Sequence, residues 1–466
     1  MKQESIPKES EALLKYLHNT NVTTVILGGT DTHGVMRGKR IPVDQIERIL
    51  EDGMALCEVF WVMHVDESEL VQRPDGYEGY FPTEATGYPD ILGIPDLSTA
   101  RIVPWHDDTV FILCDWSLPH HAAPLPIDPR NVLKQVIKRG NEMGFEAFSA
   151  LELEFYLLKE TPDSIIERHP WELVPLQTRP STYGVVLGSS QEPIALQIRQ
   201  LMLEYGLPIE ACNPETGPGQ FEINLRYENA LAAADHAFLF KSGVKEVASR
   251  NDLLATFMAK PNAEWAGNSC HIHLSLKDRD GTPVFYDDTK PHGISKTMNQ
   301  FIAGSLQAMP EFTALLAPNP NSYRRYRKYS WAGTTATWGI DNRSAGLRVI
   351  CEGSSGTRVE HRQAGGDANS YIASAAVLAA GLSGIASKLD PPKMIQGDIY
   401  AMDKNEVPQL PRSLEQAVEL LDRSTLAREW LGSEFVNHYV VMKRAELAAQ
   451  ASAVTNWDVQ RYLEAL

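Results

Sequence analysis

The chain has 466 residues, with 43 basic and 60 acidic side chains and a formal net charge of −17. The length is sufficient for two or more domains, and the acidic balance argues against a general nucleic-acid binder. Five cysteines without metal-site spacing favour reduced thiols over a disulfide scaffold, and no apolar run approaches the ~20 residues of a membrane span. We therefore expect a cytoplasmic globular protein.

The first part of the chain is predicted to form a small mixed sheet. Residues 8–19 have the periodicity of an amphipathic helix, and residues 22–28 are β-branched, as in a strand. The next predicted elements are a strand after the polar turn at Thr30, a helix over 41–52, and strands over 90–104 and 110–115. Four prolines over 119–129 predict a linker, so we expect an N-terminal domain over 1–118 and a second domain over 119–466.

The second domain is predicted to be an α+β body. Its strands are the polar segments described below, and its helices are predicted over 131–143, 193–205, 231–250 and 365–389. Since helices and strands are interspersed without a fixed repeat, we expect a sheet with helices packed against it.

The segment 213–224 is the most informative stretch of the sequence. Glu215 and Glu222 flank a Gly-Pro-Gly turn, and such a turn can bring carboxylates seven positions apart toward one point. Two carboxylates at close range require a cation or a proton between them. Alone, the turn is also compatible with an ordinary loop.

Three further strands carry polar side chains at alternating positions. Glu152 and Glu154 are two residues apart in an apolar strand, so they point to the same face, and His271 and His273 repeat this spacing. Glu360 lies in a third such strand. A set of ligands rich in oxygen suits Mg²⁺ or Mn²⁺ better than Zn²⁺. Taken singly, the glutamates are also compatible with a solvated face and the histidines with structural hydrogen bonds.

The order and spacing of these motifs resemble the glutamine synthetase superfamily over nearly the whole chain. The motifs that carry the resemblance are residues 152–155, 215–222, 260–273, 321–325, 342–348 and 358–362. The resemblance implies an α+β fold in which a small N-terminal β-grasp-like domain contributes to the neighbouring subunit's active site. It also implies that a catalytic domain follows, with a curved antiparallel sheet flanked by helices.

The resemblance implies roles for individual residues. Glu154, Glu215 and Glu222 match the family's ligands for a first metal, and Glu152, His271 and Glu360 match those for a second. The positions that contact ATP are Glu210, His273, Ser275 and Arg348. The positions for glutamate and its transferred phosphate are Gly267, Arg325, Arg343 and Arg362, of which the three arginines are the catalytic candidates. The implied cofactors are ATP and two or three Mg²⁺ or Mn²⁺ ions per active site.

Two segments depart from the pattern of ammonia-using enzymes. Trp331 occupies the position of a flap glutamate that binds ammonium, and Phe60 and Trp61 stand where the family has a phenylalanine and an aspartate, unless Asp66 replaces the latter. Tyr183 matches a tyrosine near the same pocket. A pocket that loses carboxylates and gains an indole suits a neutral, apolar amine such as aniline or isopropylamine.

The sequence therefore predicts an ATP-dependent ligase that converts glutamate and an amine to a γ-glutamylamide through γ-glutamyl phosphate. It resembles the γ-glutamylanilide synthases and glutamate–alkylamine ligases of amine catabolism. The alternatives are an ammonia-using glutamine synthetase, an enzyme for ethanolamine or a polyamine, and a catalytically silent relative. All six metal-ligand positions are intact, which argues against the last. The resemblance also implies a homo-oligomer of two hexameric rings.

Overall fold

The computed structural model describes residues 6–167 and 172–465, and its strands form two sheets. The strands of the first sheet are β1 (Thr24–Thr30), β2 (Met36–Pro42), β3 (Met54–Cys57), β4 (Asp90–Pro95), β5 (Arg101–Ile102) and β6 (Thr109–Ser117). The order is β2-β1-β6-β4-β3, with β5 also paired to β6. Because β1 runs parallel to β6 and antiparallel to β2, the sheet is mixed, as predicted.

The second sheet is larger and holds the polar strands. Its members are β7 (Phe145–Leu158), β8 (Ile209–Pro214), β9 (Gln220–Leu225), β10 (Glu228–Asn229), β11 (Leu254–Thr256), β12 (Cys270–Asp278), β13 (Trp338–Ile340), β14 (Leu347–Ile350) and β15 (Arg358–His361). The order is β13-β14-β15-β12-β7-β9-β8, and β10 and β11 also pair with β7. All of these pairs are antiparallel except β13 with β14.

Helices flank the second sheet, which confirms the α+β prediction. The helices are α1 (Ser10–Asn19), α2 (Ile46–Asp52), α3 (Pro129–Glu142), α4 (Pro162–Glu167), α5 (Glu192–Glu204), α6 (Ala230–Ser249), α7 (Lys296–Leu316), α8 (Gly353–Gly356), α9 (Ser370–Ala386), α10 (Leu414–Arg423), α11 (Thr425–Leu431), α12 (Ser433–Ser452) and α13 (Asn456–Tyr462). Within the described ranges, no helix combines the length and apolarity needed to cross a bilayer.

Two predicted helix starts lie too early. The helix predicted from residue 41 begins at Ile46, because Ile41 and Pro42 still belong to the β1–β2 ladder, opposite Val25 and Thr24. The helix predicted from residue 365 begins at Ser370, where the side chain of Asn369 accepts hydrogen bonds from the first backbone N–H groups of the helix. In both cases, other hydrogen bonds involve the first residues of the predicted helix, so the helix begins later than predicted.

Strand β6 joins the two apolar cores. Val110 and Ile112 point into the core of the first sheet, whereas Phe111 and Leu113 belong to the larger core of the second sheet. This division follows from the alternation of side chains along a strand. The first sheet therefore packs directly on the body, and the division of the chain at residue 118 stays a prediction.

Arg130 provides a polar contact across the same boundary. It is 2% exposed, and its guanidinium group donates to Asp235 of α6 at 2.8 Å, to Asp96 at 2.8 Å and to Asp115 at 2.6 Å. Asp96 and Asp115 belong to the first sheet region, whereas Arg130 and Asp235 belong to the body. A buried charge requires such partners, so the network fixes the relative position of α3, α6 and the first sheet.

Candidate active site

The register of the second sheet brings the predicted metal ligands onto one face. On β7, Glu152 lies opposite His271 of β12, and Glu154 lies opposite Glu222 of β9. Residues two apart on a strand share a face, so both pairs point the same way. The neighbouring strand β15 adds Glu360, which extends the row of polar side chains across four strands.

Glu152 is shared by two groups of candidate ligands. Its Oε2 lies 3.1 Å from Nδ1 of His271, and its Oε1 lies 3.0 Å from Nε2 of His273. One group is Glu152, Glu222 and His271, and the other is Glu152, His273 and Glu360; in each, the ligand atoms lie within 4.8 Å of one another. His273, which the sequence assigns to ATP, thus also belongs to a candidate metal group.

The chemistry of this cluster fits divalent cations. The buried Nε2 atom of His271 has no hydrogen-bond partner within the described ranges, so its lone pair is available to coordinate a metal ion. Burial, and then Arg362, lower the pKa of His271, which leaves the imidazole neutral. A neutral imidazole among carboxylates is a set that Mg²⁺ or Mn²⁺ accepts.

The pKa of two acidic side chains in the cluster is raised, and a nearby cation would lower it. Burial, followed by the charge of Glu215, raises the pKa of Glu154 to about 7. Burial, followed by Glu152, raises the pKa of Glu222 to about 8. By contrast, the histidines beside Glu152 lower its pKa despite burial. Divalent cations would stabilise all of these groups in the ionised form.

The turn between Glu215 and Glu222 has the compact form predicted. The backbone N–H of Glu215 donates to the carbonyl oxygen of Gln220 at 2.8 Å. A Cβ atom at Gly217 would lie 1.7 Å from the Tyr156 hydroxyl, so only glycine fits in the turn. The turn thus places Glu215 close enough to influence the pKa of Glu222.

Gln220 is a site residue that the sequence patterns did not identify. Its Nε2 donates to the carbonyl oxygen of Gly267 and to Oδ1 of Asn268, each at 2.9 Å. Gly267 in turn lies against Arg325, because a Cβ atom there would be 2.5 Å from Cγ of that arginine. Gln220 therefore connects the turn between Glu215 and Glu222 to the predicted glutamate site. In the sequence, its position next to the turn is the one feature that could have indicated this role.

Two of the predicted arginines are buried beside the metal cluster. Arg325 is 2% exposed and donates to Oγ of Ser269 at 3.1 Å and to the carbonyl oxygen of Gln363. Arg362 is 4% exposed and donates through Nη1 to Glu360. Their Nε atoms have no partner in the described part of the chain. Buried guanidinium groups with unused donors are suited to an anionic ligand.

Arg343 and Tyr183 lie at the exposed side of the site. The side chain of Arg343 is 59% exposed and lies 3.8 Å from Asp341. Tyr183 is 68% exposed, and burial, followed by Glu215 and Glu222, raises its pKa. Tyr183 therefore lies within electrostatic range of the acidic cluster, and Arg343 has an exposed side chain that pairs with Asp341.

The residues predicted to contact ATP are distributed across the sheet. Arg348 donates hydrogen bonds to Glu360 at 2.8 Å and to Asp341 at 2.9 Å. It therefore helps to hold the carboxylate of Glu360, a candidate metal ligand, in position. Ser275 is partly exposed on β12, two residues after His273. Glu210 is exposed on β8, at an irregularity in the β8–β9 register.

An aromatic cluster stands beside Arg362. Trp331 is 50% exposed, and its ring packs edge-on at 5.8 Å from the ring of Tyr400. Tyr329 is 54% exposed, and its ring centroid lies 5.3 Å from that of Tyr400. The carbonyl oxygen of Trp331 accepts a hydrogen bond from Nη2 of Arg362 at 3.3 Å. The sequence patterns did not identify Tyr329 or Tyr400, because the latter approaches Trp331 only in the fold.

Phe60 and Trp61 are interior residues. They are 6% and 1% exposed, and their ring centroids lie 5.0 Å apart. The carbonyl oxygen of Trp61 lies 3.0 Å from Nε2 of the buried His438. Both rings are thus buried within a single chain, and their assignment to the amine pocket stays a prediction.

Comparison with known proteins places this geometry among related enzymes. Residues 126–462 match the family model described as the glutamine synthetase catalytic domain. A glutamate–isopropylamine ligase from a Pseudomonas species is 39% identical over 96% of this chain and 96% of its own length. The γ-glutamylethanolamide synthetase GlnA4 of Streptomyces coelicolor is 37% identical over 95% of this chain and 93% of its own. A solved structure of a GmaS/ADP complex superposes with a TM-score of 0.83 at 29% identity and covers 97% of this chain and 99% of that one.

Proposed function

Since the chain belongs to the glutamine synthetase family and is an ATP-dependent ligase that joins glutamate to an amine as a γ-glutamylamide, we propose that its amine is a small apolar or aromatic molecule. In the proposed reaction the γ-carboxylate of glutamate takes the terminal phosphoryl group of ATP, which releases ADP. The amine nitrogen then attacks the acyl carbon of γ-glutamyl phosphate, phosphate leaves, and the nitrogen loses a proton.

The buried arginines are assigned to the anionic groups of this reaction. Arg325 lies against Gly267, at the predicted glutamate position, and Arg362 lies beside Glu360 in the metal cluster. Guanidinium groups that are held in place can neutralise charge that develops on a transferring phosphoryl group. We assign Arg343 to the same site as a mobile third arginine, because its exposed side chain can turn inward when substrate binds.

Two or three Mg²⁺ or Mn²⁺ ions are assigned to the cluster around Glu152. The first site takes Glu154, Glu215 and Glu222, the second takes Glu152, His271 and Glu360, and the nucleotide contacts are Glu210, His273, Ser275 and Arg348. When bound, such cations neutralise phosphate oxygens of ATP. The two ligand groups that share Glu152 contain Glu222, His271 and Glu360, and they support cation binding around Glu152. Glu154 and Glu215 belong to neither group, so their assignment to the first site rests on the family resemblance.

The observation that carries the amine class is the cluster of Tyr329, Trp331 and Tyr400. Two of its rings are half-exposed, and it touches Arg362 through the carbonyl oxygen of Trp331. Aromatic faces stabilise apolar groups, and the flap position offers no carboxylate for an ammonium ion. The similarity to a glutamate–isopropylamine ligase supports the same class.

A substrate panel tests the proposal. Phosphate release is measured with ATP, Mg²⁺, glutamate and either ammonia, isopropylamine, aniline, ethanolamine or putrescine, and the products are identified by mass. We expect kcat/KM for isopropylamine or aniline to exceed that for ammonia by roughly tenfold or more, which corresponds to the contribution of a few buried methylene groups. A preference for ammonia would contradict the proposal and direct attention to the exposed carboxylate of Asp66.

Ethanolamine is the second candidate amine. The similarity to a γ-glutamylethanolamide synthetase favours it. A hydroxyl group on the amine requires a hydrogen-bond partner in the pocket, and the tyrosine hydroxyl groups of the aromatic cluster could supply one. The same panel separates the two candidates through the ratio of turnover with ethanolamine to turnover with isopropylamine.

We further propose that the chain forms a homo-oligomer, as two stacked hexameric rings. The glutamine synthetase resemblance supports this assembly, in which an active site forms between neighbouring subunits. Sedimentation velocity would detect the dodecamer directly. A monomer that retains full activity would contradict the proposal.

A further inference from the structure

A cavity separate from the candidate active site lies between the N-terminal region and the body. It has a volume of about 530 Å³ and is lined by the β1–β2 turn, α6, β11 and α12. Within the described ranges, none of the residues assigned to metals, nucleotide or glutamate lines it. The cavity is therefore a separate site, and the reaction proposed above leaves it without a role.

Three lysines are among the residues that line the cavity. Lys443 of α12 is 1% exposed, Lys241 of α6 is partly exposed, and Lys245, one turn further along α6, is exposed at the cavity mouth. Nζ of Lys241 donates to the carbonyl oxygen of Ala368 at 2.9 Å, and Nζ of Lys443 lies 5.2 Å from the ring centroid of Tyr439. In the part of the chain that is described, none of the three ammonium groups forms an ion pair.

Three acidic groups act on these lysines, Asp367, Asp31 and Glu446, and each also contacts another side chain. Asp367 is the one carboxylate among the described lining residues; its Oδ2 accepts hydrogen bonds from Asn319 at 2.9 Å and from Ser322 at 2.6 Å, whereas its buried Oδ1 has no hydrogen-bond partner in the described part of the chain. Asp31, close to Lys443, is paired with Arg37. The lining itself thus carries three lysines and one aspartate, and Glu446 and Asp31 act on Lys443 from outside the lining.

The lysines stay charged at neutral pH. Burial lowers the pKa of Lys241 and of Lys443 to about 8 in each case, which leaves both largely protonated near pH 7. Among the other titratable lining groups, His33 is neutral, because burial followed by Lys443 lowers its pKa to about 3. A buried positive charge without an anion is costly, so an anionic ligand would be stabilised here.

Part of the remaining wall is apolar, next to polar side chains such as Thr32, Ser249 and Asn319. Val65 and Met258, which are 47% and 44% exposed, lie in the lining, as do Val35, Leu253 and Phe257. A ligand that covers these side chains needs a carbon skeleton, and a fully hydrated ion would not use them. We propose that this cavity binds a small organic dianion, with its oxyanion groups at Lys443 and Lys241 and its carbon skeleton against the apolar wall.

Thermal unfolding of the full-length protein tests the proposal. The probes are glutarate, succinate and inorganic phosphate, compared with butyrate and chloride at equal ionic strength. We expect the dicarboxylates to raise the Tm by several degrees, phosphate to raise it less, and butyrate and chloride to leave it unchanged. Stabilisation by phosphate but not by dicarboxylates would overturn the assignment of a carbon skeleton.

Lys443→Met locates the binding site. Methionine fills a similar volume without the charge, so we expect the variant without added anion to be at least as thermostable as the wild type and to lose the dicarboxylate shift. Lys245→Met at the mouth should fold normally and weaken dicarboxylate binding several-fold in calorimetry. The matched control is Lys138→Met on α3, whose side chain is 78% exposed and should leave binding unchanged.

Three results would overturn the inference. Dicarboxylates that stabilise the wild type no better than chloride would exclude an anion site. A shift that persists in Lys443→Met would place binding elsewhere, including the glutamate position of the active site. A Lys443→Met variant that is less stable than the wild type without anion would show that this lysine is a structural charge.

Discussion

At the scale of single residues, Glu152 is the side chain that belongs to both groups of candidate metal ligands. Its two carboxylate oxygens lie 3.1 Å from His271 and 3.0 Å from His273, so each oxygen serves a different group. The sequence identified this glutamate from its spacing with Glu154, because alternation along a strand is a local property. Its bridging position follows from the pairing of β7 with β12, which is not local.

Glu152→Gln should abolish most of the activity and leave the fold intact. The amide keeps the shape but loses the charge that both groups of candidate ligands share, so we expect kcat/KM to fall by ~100-fold or more, the upper range for residues that support a metal. The measurement is phosphate release across a Mg²⁺ and Mn²⁺ titration, and the control is Glu142→Gln at the exposed end of α3. Unchanged kinetics in the Gln variant would remove Glu152 from the metal site.

Trp331→Glu should shift the amine preference toward ammonia. A carboxylate at this half-exposed flap position would attract an ammonium ion and disfavour an apolar amine, so we expect the ratio of kcat/KM for ammonia to that for isopropylamine to rise by roughly tenfold. The control is Trp457→Glu on α13, an equally accessible tryptophan at 58% exposure. An unchanged ratio with retained activity would show that the amine binds elsewhere.

At the scale of secondary-structure elements, helices α7 and α9 approach most closely where two glycines meet. A Cβ atom at Gly304 would lie 2.3 Å from the carbonyl oxygen of Ala380, and one at Gly384 would lie 2.1 Å from that of Gln300. Both distances are shorter than a van der Waals contact. The helices can therefore pack at this spacing only without side chains at these positions.

Gly304→Ala should destabilise the protein, although alanine favours helix. Overpacking of a buried contact typically costs about 1–3 kcal/mol, which exceeds the gain in helix propensity of about 1 kcal/mol. The measurement is the free energy of unfolding in urea, with Gln307→Ala on the exposed face of α7 as control. Equal stability of the two variants would mean that the helices can separate without cost.

The sequence patterns predicted many of the elements whose apolar residues alternate or repeat, but no helix was predicted for α10 to α13, and α7 was missed as well. This helix is buried on almost all sides and contains Pro310, so it shows neither a polar face nor an uninterrupted pattern. The same limit applies to the site. Gln220 and Tyr400 acquire their positions from contacts between distant segments, whereas the metal ligands lie in motifs with local spacing.

At the scale of the whole molecule, buried histidines make the fold sensitive to acid. Burial lowers the pKa of His33 and His236 to about 3 and that of His438 to about 4, from an ordinary value of 6.5. The folded protein keeps these rings neutral, whereas the unfolded chain takes up protons below about pH 6.5. Their contribution is therefore fully present above that pH and is lost as the pH falls toward 4.

We expect the urea midpoint to decrease between about pH 7 and pH 5, in the range where the unfolded histidines titrate. His438→Gln isolates one contribution, because glutamine can still donate to the carbonyl oxygen of Trp61 but takes up no proton. The variant should lose less stability than the wild type over the same interval. Identical pH dependence of the two proteins would show that His438 is not one of the responsible groups.

The ion-pair network of Arg130 constrains how hybrid enzymes could be built. An exchange of N-terminal regions between relatives at the proline-rich linker would separate Arg130 from Asp96 and Asp115, which lie before it. Asp235, far along the chain, completes the same network. A crossover that preserves the network must transfer α3 together with the first sheet and retain an aspartate at position 235. The suitable junctions therefore lie after Glu142, the last residue of α3, and not at the linker.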